Sequence, residues 1–198
     1  MKLLGMIMLF AFMPFLKEDE PQLPRNSAGK ISFEEFVQVD DMGRDALFIN
    51  AMNFATRVKR VDAYDKKMHA DYKGSVVNRE GSFYVYTKGL FTPQIHGEII
   101  YNLRLEVMEG GYAYTFTDFV FQYYKKNRYG QYAPVSGKKK ALEKEKFAGM
   151  NETWQEHKET TRKHVESHIR TLKKKMREVP PGARLNAEDG AADEMNRP

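Results

Sequence analysis

From Ile95 to Val107 an apolar residue or a glycine holds every odd position: Ile95, Gly97, Ile99, Tyr101, Leu103, Leu105 and Val107. His96, Glu98, Asn102, Arg104 and Glu106 hold most of the even ones. A period of two is that of a strand with one face in a core and the other in water. Glu109-Gly110-Gly111 follows and predicts a hairpin turn, because glycine accepts the positive φ such turns demand. Tyr112, Tyr114 and Phe116 then return the apolar phase on a second strand. A turn centred on Gly110-Gly111 pairs Val107 with Tyr114 and Leu105 with Phe116. A turn one residue earlier changes the partners but leaves the faces as they are.

The remaining pattern supplies the other elements. Ile31, Phe33, Val37 and Val39 flank Glu34-Glu35-Phe36 and predict a strand with an irregularity near Glu35. Asp40-Asp41 offer N-cap chemistry and Asp45 suits the positive end of a helix. Leu47, Ala51, Phe54 and Val58 recur at helical spacing and predict a helix over 43–60. Residues 61–73 read as a loop or a short strand, 74–78 as a short strand, Arg79 to Ser82 as a turn and Phe83 to Thr87 as a strand. Gly89 to Gln94 is a loop, and Asn127 to Gly149 reads as loop-rich. Trp154, Thr161, Val165, Ile169, Leu172 and Met176 form one stripe of a helix over 151–178, fit to lie on a sheet. Val179-Pro180-Pro181-Gly182 ends it, and 179–198 reads as a disordered tail.

The N-terminus has a different character. Lys2 precedes an unbroken apolar run from Leu3 to Leu16, and Lys17-Glu18-Asp19-Glu20 follows at once. A bilayer-spanning helix needs ~20 residues, so the run predicts no transmembrane span. It matches the hydrophobic region of a signal-like leader over 1–20. Residues 21–29 read as a linker and 30–178 as a single domain. The expectation is export, to a periplasm, an envelope or the medium. No small-x-small pair between Phe15 and Gln22 marks a cleavage position.

Composition narrows the chemistry. Hydrophobic residues make up 41% of the 198, enough for a core, and charged residues 30%. Cysteine is absent, which excludes disulfides, thiol nucleophiles, Cys-based zinc sites and anchoring as a cysteine-linked lipoprotein. The net charge of +5 is uneven: 125–178 holds 16 basic and 7 acidic residues, while 1–124 holds 14 and 16. An anionic partner therefore meets 125–178 first.

Several segments together resemble a known family. They are Gly29-Lys30-Ile31-Ser32-Phe33 with Val37-Gln38-Val39-Asp40, then Leu47-Phe48-Ile49-Asn50-Ala51, then Gly81-Ser82-Phe83, and above all Gly110-Gly111-Tyr112-Ala113-Tyr114-Thr115-Phe116-Thr117-Asp118. They look like those of a group of exported bacterial proteins classed as a domain of unknown function with a TATA-binding-protein-like fold. The likeness covers roughly Lys30 to Phe121. It implies an α+β domain of order β-α-β-β-β-β-α, a curved antiparallel sheet with helices packed on one face. It brings no catalytic residues to carry over.

Candidate chemistry is sparse. His157, His164 and His168 flank the apolar stripe of the C-terminal helix, and an i, i+4 histidine pair can bind a metal. Glu166 stands where a His-Glu-x-x-His arrangement does not place its glutamate. His96 and Glu98 fall on one face of a regular strand. Tyr123, Lys125, Lys126, Arg128, Tyr129 and Tyr132 interleave rings and cations, as segments that stack on ligands and neutralise anions do. No glycine-rich phosphate loop is present, and no cofactor is expected. The expectation is an exported, non-enzymatic binding or accessory domain whose partner is a protein, an envelope polymer or an anionic surface. Nucleic acid is disfavoured, because an exported chain does not meet the genome. The rival readings are a metal-dependent hydrolase using the three helix histidines and an anionic-polymer binder using segment 123–132.

Overall fold

The computed structural model describes residues 23–61, 68–89, 92–145 and 149–180. Six strands form one antiparallel sheet: β1 (Phe33–Gln38), β2 (Met68–Asp71), β3 (Val76–Thr87), β4 (Gln94–Met108), β5 (Gly111–Lys126) and β6 (Tyr132–Ala141). Helices α1 (Arg44–Ala55) and α2 (Asn151–Lys175) lie against one face. The strand order is β1-β5-β4-β3-β2. β4 runs along one edge of β5, and β1 and β6 share the other edge end to end, β1 beside 111–116 and β6 beside 120–126. The leader and most of the tail lie outside the described residues.

The hairpin turns at Glu109-Gly110, with Gly110 at φ +74° and Met108 opposite Gly111. Val107 therefore pairs with Tyr112, Leu105 with Tyr114 and Leu103 with Phe116, which is the earlier-turn register. All of these side chains are buried on the helix face. The apolar phase changes once along β5. Tyr112, Tyr114 and Phe116 are buried before Asp118, and Phe119 and Phe121 after it. The cause is a bulge between the pairs Asn102–Thr117 and Ile100–Val120. Asp118 stands there at φ +56°, a conformation that Asp and Asn tolerate better than other side chains. Its carboxylate is held by Lys30 at 2.8 Å and by Asn102 at 3.2 Å.

Four expectations need correction. Arg79 to Ser82 does not turn but continues β3 without a break. Gly81 is there for space: a Cβ on it would come within 2.6 Å of Tyr101 and 2.7 Å of Val58. Residues 127–149 contain β6, an edge strand rich in lysine and without apolar alternation, which backbone pairing alone defines. β2 realises the short-strand alternative within 61–73, 74–78 and 83–87 join in β3, and β6 is added, so five strands rather than four separate the helices. β1 pairs with β5 in continuous register through Glu35. Glu35 is polar on the helix side because it accepts hydrogen bonds from Tyr114 (2.6 Å) and from Lys173 of α2 (2.7 and 2.8 Å).

The stripe of α2 docks as its spacing predicts: Trp154, Thr161, Val165, Leu172 and Met176 are buried, and Ile169 is partly so. Trp154 Nε1 donates to the Lys144 carbonyl at 2.6 Å and ties the start of the helix to the end of β6.

Candidate functional site

The helix histidines turn inward, against the sheet. His157 is 1% exposed, and its Nε2 lies 2.7 Å from Nδ1 of His96 on β4. His96 reaches the helix side through a break in the β3–β4 register. Val85 pairs with Gly97 and Tyr86 with Ile95, which leaves His96 as the extra residue. Its ring packs on Phe121 and Tyr123, with centroids 5.1 and 5.4 Å away. The same break separates His96 from Glu98, so the pairing on one strand face does not form. Glu98, 2% exposed, instead accepts from Ser82 Oγ at 3.0 Å and lies 3.8 Å from Arg60, which also pairs with Glu80.

His164 and His168 form a second pair farther along α2. His164 stacks on Phe83 at 3.8 Å, His168 lies 4.3 Å from His164, and His168 meets the edges of Phe54 and Tyr101. Burial holds His96 below the usual histidine range. Burial, reinforced by His96, pushes His157 down to about 4, and burial, reinforced by His168, does the same to His164. At neutral pH His157 and His164 are uncharged, and one of the facing His96 and His157 nitrogens donates to the other. Among the described residues no group of three or more His, Asp or Glu could hold a metal ion. Both histidine pairs pack among aromatic rings between α2 and the sheet.

The interleaved segment is the β5–β6 hairpin. Tyr123 is half-buried against His96, and Tyr124, beside it, is buried with its ring edge-on to Tyr84. Lys125, Lys126 and Arg128 are exposed, and Tyr129 is 71% exposed. Asn127 shapes the tip: its Oδ1 accepts from the backbone N–H of Tyr129 and of Gln131, and Gly130 follows at φ +75°. Arg128 lies over the Tyr129 ring at 4.9 Å and Lys126 over the half-buried Tyr132 ring at 5.3 Å. These six residues share the β5–β6 hairpin.

Just inside the hairpin, β6 loses register with β5 between Gln122 and Tyr124. Gln122 is buried in the gap and donates to the Val135 and Lys138 carbonyls. The distortion opens a half-open cavity of about 360 Å³ between β5, β6 and the start of α2. His96, Phe121, Tyr123 and Met150 line it, and Lys138, Lys139 and Lys140 stand beside them. A second cleft of about 590 Å³ runs across β2, β3, β4 and β5 and carries both signs of charge, with Glu80, Arg104 and Asp118 among its residues. Sequence reasoning found the hairpin cations and the α2 histidines but not the partnership of His96 with His157. The sequence carries no signal for it, since His96 is in step with the polar positions of β4 and only the register break turns it to the helix side.

An open antiparallel sheet with helices on one face defines a small α+β domain of the TATA-binding-protein-like class. Residues 33–122, from β1 to the inner half of β5, match the family described as a domain of unknown function (DUF4468) with TBP-like fold. This segment carries the signature of that family, the one its sequence resembles. Two crystal structures are similar in fold. One is a TBP-like protein from Parabacteroides distasonis, with a TM-score of 0.59 at 13% identity over 79% of this chain and 98% of the other. The other is a DUF4468 family protein from Bacteroides ovatus, with a TM-score of 0.55 at 12% identity over 76% and 89%. No curated protein matches the chain. Among the described residues no helix is long and apolar enough to cross a membrane.

Proposed function

We propose that the chain is an exported, non-enzymatic binding or accessory domain that meets an anionic partner, a protein or an envelope polymer, through its basic end. The observation that carries this reading is the β5–β6 tip. Lys125, Lys126 and Arg128 are exposed there beside Tyr129, on a turn shaped by the hydrogen bonds of Asn127 and the positive φ of Gly130. A turn already formed places charge at a lower entropy cost of ordering on binding. The leader over 1–20 supports export, and an exported chain selects envelope partners over nucleic acid.

Binding of this kind must weaken with salt, since exposed charges are screened over a Debye length of ~8 Å at physiological ionic strength. The test is retention on anionic vesicles, an acidic glycan and single-stranded nucleic acid at low and high salt, with a pull-down from envelope extract. The variant Lys125→Gln/Lys126→Gln/Arg128→Gln is expected to lose most binding with its melting curve unchanged. Changes at exposed sites move stability by no more than ~0.5 kcal/mol. Equal retention by wild type and variant, or no retention on any of the surfaces and no envelope partner, overturns the reading.

A further inference from the structure

We propose that the cavity between β5, β6 and the start of α2 binds a small amphiphilic anion: one anionic head group on an apolar body. The proposal deepens the binding-domain reading and rests on it. The walls and the polar groups point the same way. Phe121, Tyr123 and Met150 give the cavity an apolar lining, while Lys138, Lys139 and Lys140 bring positive charge to it. No carboxylate lines it among the described residues. Its volume of about 360 Å³ lies within the range of small-molecule pockets. It holds roughly a dozen non-hydrogen atoms at the ~30 Å³ each water occupies in the liquid.

His96 supplies the specific feature. It is 7% exposed, it lines the cavity, and its Nε2 has no hydrogen-bond partner among the described residues. A buried ring nitrogen left unpaired costs free energy that a ligand oxygen would recover. The His96–His157 contact lets the protein meet an anion there. When His157 Nε2–H donates to His96 Nδ1, the proton of His96 is on Nε2, and that nitrogen becomes a donor. An anionic oxygen selects this arrangement over the reverse one. A cationic head is repelled by the lysines, and a neutral alcohol gains no charge attraction. Within the distortion that opens the cavity, Gly137 sits at φ +71°, and Gln122 donates to the Val135 and Lys138 carbonyls.

The test titrates the full chain with octanoate, octyl phosphate, octanol and octylammonium, and follows the imidazole nitrogens by NMR. Octanoate and octyl phosphate are expected to bind and to move the His96 Nε2 resonance; the alcohol and the ammonium are expected to bind at least tenfold more weakly. Met150→Trp, which fills the cavity, is expected to abolish binding, and Lys138→Gln/Lys139→Gln to weaken it about tenfold with the fold intact. No binding of either anion, equal binding of all four probes, or binding that survives both variants overturns the proposal. The tip variant Lys125→Gln/Lys126→Gln/Arg128→Gln separates the two readings. It keeps octanoate affinity if the cavity is the site, whatever becomes of vesicle and glycan retention, and a tip variant that loses octanoate binding assigns that binding to the hairpin and sinks the cavity.

Discussion

Phe116 is fully buried, pairs with Leu103 across the hairpin and touches Tyr101 and Tyr114 with its ring. Phe116→Ala removes a core side chain that no neighbour can replace, and the expected loss is ~3–5 kcal/mol in denaturant melts; a loss below about 1 kcal/mol would place the hairpin face in solvent. The histidines make stability depend on pH. His157 and His164 titrate at about 4 when folded, below their ordinary value of 6.5, so their contribution is fully present above pH 6.5 and is lost as pH falls toward 4. Between pH 7.5 and 5 His157 alone is expected to cost about 2 kcal/mol of stability, and the half-buried His164 less. His157→Gln should flatten this part of the profile. An unchanged slope between pH 7.5 and 5 would mean that the ring is charged in the folded protein. Candidate chemistry was legible at this scale only as residue types. The sequence shows three histidines on one side of α2, but the meeting of His157 with His96, 61 residues earlier, depends on a register break that leaves no mark in composition.

At the scale of elements, β5 joins the domain: it pairs with β4 on one edge and with β1 and β6 on the other. Its bulge at Asp118 divides the two edge partners and lets aromatic side chains on both sides of it face the helices. Asp118→Asn keeps a side chain that tolerates positive φ and gives up only an exposed ion pair with Lys30, so the expected change is at most ~1 kcal/mol. Asp118→Val forces a β-branched residue into that conformation and is expected to cost at least ~1–2 kcal/mol. Equal melting temperatures for the two variants would show that the bulge relaxes. The strands with regular alternation, β4 and the first half of β5, were readable because one face is buried along their whole length. β6 was not, since its residues show no apolar alternation and hydrogen bonds to β5 define it. Gly81 misled for a related reason: glycine marks turns in a sequence, but here it makes room for Tyr101 and Val58.

For the whole molecule, the asymmetry of charge and the proposed route of export belong together. The exposed cations of the β5–β6 tip give the domain a positively charged end, and the leader is expected to carry it out of the cytoplasm. Fractionation of the full-length chain is expected to find it outside the cytoplasm, and a chain starting at Pro21 within it; equal cytoplasmic pools would remove the export reading. The alternation of β4, the stripe of α2 and the excess of lysine and arginine over 125–178 are local properties. A hydrophobic period or a run of charge has the same meaning wherever the element lies, so the sequence by itself determined the strand–helix framework, the buried faces and the basic region. The tertiary structure alone decided which residues meet: His96 with His157, Glu35 with Lys173, and β6 with the outer half of β5. Such contacts depend on bulges and register, where one inserted residue turns a side chain to the other face of the sheet. The energy that selects the register comes from packing across the whole sheet, beyond the reach of any local pattern.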